Sequence, residues 1–161
     1  MSAFSFRRGQ HPDRAIFVLL HTSTPPEPAR WDAYLDALRE SLPGKKGCTH
    51  LFVATDGGGP GPEQRRNLAT VLAHVDTLTH VFTTDLVVRS IVTAYRWLGG
   101  SARAYHPSEF PRACLEANHS PIDTLSLFAE VQCDLSPVAT LKLMRAASAN
   151  HRVSTPTSWD R

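Results

Sequence analysis

The sequence predicts an α/β protein: a mostly parallel sheet of about five strands, the first antiparallel at an edge, with covering helices and a two-helix extension at the carboxyl end. Three observations lead there. Short apolar runs at 15–20, 51–54 and 79–83 are followed at once by turn residues, the pattern of strands covered on both faces. Between them lie stretches whose apolar residues recur three and four apart, as on a helix with one buried stripe. Regular alternation of the two calls for right-handed crossovers and a parallel layer.

Residues 3–7 alternate apolar and polar, and 9–13 carry Gly, Pro and Asp, so a short edge strand turns back into the strand at 15–20. A proline-punctuated entry leads to a helix with Trp31, Tyr34, Leu35, Leu38 and Leu42 on one stripe, closed by Pro43-Gly44. Lys45 and Lys46 follow where positive charge complements the helix dipole. The central strand, 49–55, runs into Asp56, then Gly57, Gly58, Gly59 and Gly61, with Pro62 suited to the first turn of the next helix. Leu68, Val71, Leu72 and Val75 form that helix's stripe, while Glu63, Gln64, Arg65 and Arg66 occupy its solvated first turn.

After the strand at 79–83, Asp85 is placed to cap a helix over 86–98, ended by Gly99-Gly100. That helix holds more apolar residues than one sheet face needs, and is expected to pack on the C-terminal hairpin or on a second copy of the chain. A short strand at 102–105 precedes a helix opened at Ser108, with Phe110, Cys114 and Leu115 inward. Ser120-Pro121 and Ser136-Pro137 then open two helices, the first with Ile122, Leu125, Phe128 and Val131 inward, the second with Val138, Leu141, Met144 and Ala147. One domain over 1–150 is expected, with 3–118 as its core, a helical hairpin at 120–150 and a loose tail at 151–161 in which Trp159 could dock.

At 161 residues the chain can bury a substantial core, and its net charge of +2 supports neither nucleic acid nor an anionic membrane as a partner. Cys48, Cys114 and Cys133 are odd in number and lack CxxC spacing, which suits free thiols in a reducing, cytoplasmic setting. No stretch approaches the roughly 20 apolar residues that span a bilayer.

The order of elements over about 3–118, with the apolar strand ending in Asp56-Gly57-Gly58-Gly59, resembles the STAS domain, the SpoIIAA-like fold of anti-sigma-factor antagonists and sulfate-transporter tails. The resemblance implies a bacterial signalling module that acts by protein–protein contact. The family's loop reads roughly Asp-x-Ser-Gly, and its serine is phosphorylated by a partner kinase. Glycines stand there in this chain, and Thr55, just before the aspartate, is a poor substitute.

In a parallel sheet, ligands gather beyond the carboxyl ends of the strands. That edge would collect His21, Thr22, Asp56, Thr83, Thr84, Asp85 and His106. Two readings stay open. In the first, the loop of Asp56, Gly57, Gly58, Gly59 and Gly61, with Arg65 and Arg66, and the neighbouring helix face a partner protein or a second copy. An arginine at Gly58 is then expected to block the partner and leave the fold intact. In the second, the chain is a small-anion or nucleotide-binding protein or an enzyme using the carboxyl edge: loop N–H groups cradle the ligand, with Asp56, His21, Thr22, Thr84, Asp85, Arg89 and His106 around it. The loop is neither a P-loop nor a GxGxxG fingerprint, because Pro60 and Pro62 remove two donors. His21, Asp56, Asp85 and His106 are suitable metal ligands one by one, but no metal, cofactor or catalytic residue is assigned. His50 and His80 lie within strands, with no functional case.

Overall fold

The computed structural model describes residues 2–97 and 101–153, the side chains of 95–97 and 152–153 excepted. Five strands form one sheet in chain order: β1 (Phe4–Arg8), β2 (Ile16–His21), β3 (Thr49–Thr55), β4 (Thr77–Phe82) and β5 (Ala102–Tyr105). β1 runs antiparallel to β2, pairing Phe4 with His21, and every other pair is parallel. The helices are α1 (Pro28–Ser41), α2 (Pro62–Val71), α3 (Leu86–Trp97), α4 (Phe110–Glu116), α5 (Pro121–Gln132) and α6 (Ala139–Val153), with a 3-10 turn at Pro107–Glu109.

The alternation of side chains along a strand divides the interior in two. Phe17, Leu19 and Leu51 turn to one face and meet Phe4 with Trp31, Tyr34, Leu35 and Leu38 of α1, while Leu68 and Val71 of α2 close the rim. Val18, Leu20, Phe52, Ala54 and Phe82 turn to the other face, under Phe110, Phe128, Leu141 and Met144. β3 is therefore buried on both sides, which is why it lacks the polar alternation of a half-exposed strand. The C-terminal helices form the second layer of this sheet.

α2 ends at Val71, so Val75 of its expected stripe lies outside the helix, and three further helix details depart from the sequence reading. Leu115 and Ile122 are exposed, their inward places being filled by Ala113 and Thr124. α6 begins at Ala139 and runs to Val153, so 151–153 belong to a helix. Gly99-Gly100 and 154–161, with Trp159, lie outside the described residues. Third, α3 packs on the edge strand β5, yet Leu86, Val87 and Ile91 remain 71%, 68% and 64% exposed. The hairpin instead lies over β1, β2 and α4, so these three side chains stay in solvent. No helix among the described residues is long and apolar enough to cross a membrane.

Candidate functional site: the carboxyl edge

Asp56 leaves the end of β3 toward α6. Its carboxylate accepts from the backbone N–H of Ala139 at 2.7 Å and of Thr140 at 2.9 Å, and from the Thr140 hydroxyl at 2.8 Å. The first turn of a helix has no internal partners for its N–H groups, and a negative acceptor also favours the positive end of the dipole. Asp56 therefore caps α6 from 83 residues away, where the sequence placed Ser136 in that role. Thr140 Oγ1 also lies 3.0 Å from the Thr55 carbonyl, so its single proton is shared between two acceptors at the end of β3. Gln132 closes the link between α5 and α6, donating to Ser136 O at 3.0 Å and accepting from Val138 N–H.

The glycine loop is internally bonded. Thr55 is buried, and its hydroxyl donates to Gly58 O at 2.6 Å while accepting from Gly57 N–H at 3.0 Å. Gly58 N–H donates to Thr22 O at 2.9 Å, and Gly61 N–H to Gln64 Oε1 at 2.8 Å. Three of the four glycine N–H groups of the anion cradle are thus engaged within the chain. Gly57 has φ +115, and an added Cβ would lie 3.1 Å from Asp85 Oδ2. At Gly58 a Cβ would come within 2.4 Å of both Thr22 O and Thr24 O, so the middle of the loop lies under backbone. The arginine expected to be tolerated there has no room. Gly59 faces open space.

The remaining candidates divide between caps, core and surface. Asp85 Oδ1 accepts from Val87 and Val88 N–H at 2.8 and 3.0 Å, the expected cap of α3. Its own N–H donates to the hydroxyl of buried Thr83, whereas Thr84 is exposed. His106 caps the 3-10 turn, its Nδ1 accepting from Ser108 N–H at 3.2 Å. Thr22 Oγ1 donates to Ala3 O. Arg65 reaches back to Pro60 O at 2.8 Å, Arg66 is exposed and Arg89 half-buried. His21 is a core residue on the α1 side, its ring 4.7 Å from that of Phe4, while Asp56 points to α6 on the other face. The edge therefore does not gather His21, Asp56, Asp85 and His106 at one point. Among the described residues no three His, Cys, Asp or Glu side chains could hold a metal ion. Cys48, Cys114 and Cys133 are free, and burial pushes the Cys114 thiol up to about 12.

Sequence reasoning missed a second concentration of polar groups, at the amino end of the sheet. His50 Nδ1 lies 3.1 Å from His80 Nε2, and the His119 ring stands edge-on to His50 at 4.8 Å. His50 and His80, 30 residues apart, share a face only because β3 and β4 are adjacent and parallel, which no local pattern announces.

Burial lowers His21 and His80 to about 3, with the neighbouring rings of His50 and His119 and the Arg103 guanidinium adding to the effect at His80. A lowered folded-state value means that the native protein holds these rings neutral while the unfolded chain takes up protons below about pH 6.5. Their stabilisation is fully present above that value and is lost as pH falls toward about 3. Each ring is expected to withdraw about 2–3 kcal/mol between pH 7 and pH 4.5, read as a falling midpoint of urea unfolding. A midpoint constant over that range would contradict the neutral burial of both rings.

Compared with models of known families, with curated proteins and with solved structures, the chain matches none.

Proposed function

We propose that the protein is a non-enzymatic, STAS-like regulatory or scaffolding module of the cytoplasm that acts by binding another protein, through α3 and the adjoining tip of the glycine loop. The observation that carries this reading is the face of α3. Leu86, Val87, Ser90, Ile91 and Ala94 are all exposed and fall within about 140° of the helix circumference at 100° per residue. Large aliphatic side chains grouped in solvent characterise interaction surfaces, whereas single ones are ordinary. Asp85 joins this face to the loop, because it caps α3 and lies against Gly57.

The standard phosphoswitch of STAS domains has no counterpart here: Thr55 is buried and its hydroxyl is engaged on both sides. Regulation would therefore reside in the partner or elsewhere in this chain. The internal engagement of the loop N–H groups weighs against the small-anion reading.

Ile91→Glu places a charge on the exposed face without touching the core. Proteins captured from the native cell by the wild-type chain are expected to fall at least tenfold with this variant, while its circular dichroism and melting temperature stay unchanged. Equal capture by both proteins would overturn the assignment of α3.

A further inference from the structure

We propose that the His50–His80–His119 cluster is an acid-sensitive latch holding the corner between α4 and α5, and the facing turn between β1 and β2, against the amino end of the sheet. The geometry is that of a ring stack joined through one N···N contact. The His50 and His80 rings are nearly parallel, 8° apart, and His80 in turn stacks on Phe52 at 4.7 Å. His119 closes over His50 and Phe52 edge-on, with centroids 4.8 and 5.3 Å away. His80 Nδ1 and His119 Nε2 are both buried without a hydrogen-bond partner. A charged ring in this stack would leave an N–H donor unpaired beside another imidazole, which burial penalises.

The groups facing the cluster add little to hold a proton. From the turn between β1 and β2 come His11 and Arg14, whose guanidinium lies 3.3 Å from His11 Nε2 and donates to Ala117 O at 3.5 Å. β5 contributes Arg103, which disfavours charge on His80, and Tyr105, stacked on the same ring at 6.0 Å. Asp76, beside Cys48, is the acid that favours charge on His50, and its effect is smaller than those of burial and Arg14. Asp123 of α5 lines the groove shared by His11 and His119.

The corner leaves the core at its last residues: Ala117 is buried, but Asn118 and Ser120 are exposed and His119 is half-buried. α4 has seven residues, Asn118 has φ +58, and the return is fixed by His119 N–H donating to Cys114 O at 2.8 Å. Short, partly exposed segments open locally before the whole chain unfolds. Opening exposes the rings, which then protonate near their ordinary value. His119 and His80, held at about 4 and about 3 in the closed state, each bias the equilibrium toward opening as pH falls.

Amide hydrogen exchange on the intact protein tests this. After correction for intrinsic chemistry, the amides of Gly9, Ala117, Asn118 and His119 are expected to lose about 25-fold in protection for each ring freed between pH 7 and pH 5. Those of α1, which open only with the whole chain, should stay more protected than the corner at every pH. Protection at the corner that is independent of pH, or that equals that of α1 at every pH, would overturn the proposal. His119→Phe keeps an aromatic ring over His50 but cannot be charged, and should remove one such factor from the corner's pH response. A response identical to that of the wild type would equally overturn it.

Discussion

Asp56→Ala is expected to cost about 2–4 kcal/mol of folding stability and to free the start of α6 before the rest of the chain. The magnitude follows from the number and kind of bonds lost. One carboxylate accepts three hydrogen bonds, two from orphan N–H groups in the first turn of a 15-residue helix. Bonds to charged groups contribute about 1.5–3 kcal/mol each, and water can replace part of them because the Ala139 contact is exposed. Urea unfolding gives the total, and exchange of the Ala139 and Thr140 amides locates it. Asp56→Asn keeps an acceptor without the charge and should lose less. Equal stability of the alanine variant and the wild type would show that α6 docks without its distant cap.

Gly58→Ala is expected to cost about 3 kcal/mol or more, and Gly58→Arg to prevent folding. The obstacle is backbone rather than a yielding side chain. Thr22 O and Thr24 O each stand 2.4 Å from the position of the new Cβ, and Gly58 N–H is bonded to the same Thr22 O. Relieving the clash would pull the loop from β2 and break the Thr55–Gly58 bond. Gly59→Ala is the matched control, since nothing lies within 4 Å of its Cβ, and it should change stability by no more than about 0.5 kcal/mol. Thermal unfolding of the two variants side by side decides the matter, and similar melting temperatures would contradict the close approach.

The layer was legible because period and punctuation are local properties. Trp31, Tyr34, Leu35 and Leu38 announce the buried side of α1, and the run 51–54 announces a strand covered twice. Asp85 was equally readable as a cap, since donor and acceptor are two and three residues apart. The role of Asp56 was not, because its partners lie 83 and 84 residues downstream and the local Ser136-Pro137 pair offered a sufficient explanation of the same helix start. The same limit hid the histidine cluster. Composition showed that α3 carries surplus apolar surface, but which element would cover it depended on where the hairpin docks, and it docks on the far face of β1 and β2.

The assignment of α3 as the partner surface is tested most directly by a photo-crosslinking residue at Val87, 68% exposed, compared with the same residue at Thr70, exposed on α2. Irradiation of the intact chain in its native cell is expected to give a discrete covalent adduct from position 87 and none from position 70. Adducts of equal yield at both positions, or from position 70 alone, would contradict it.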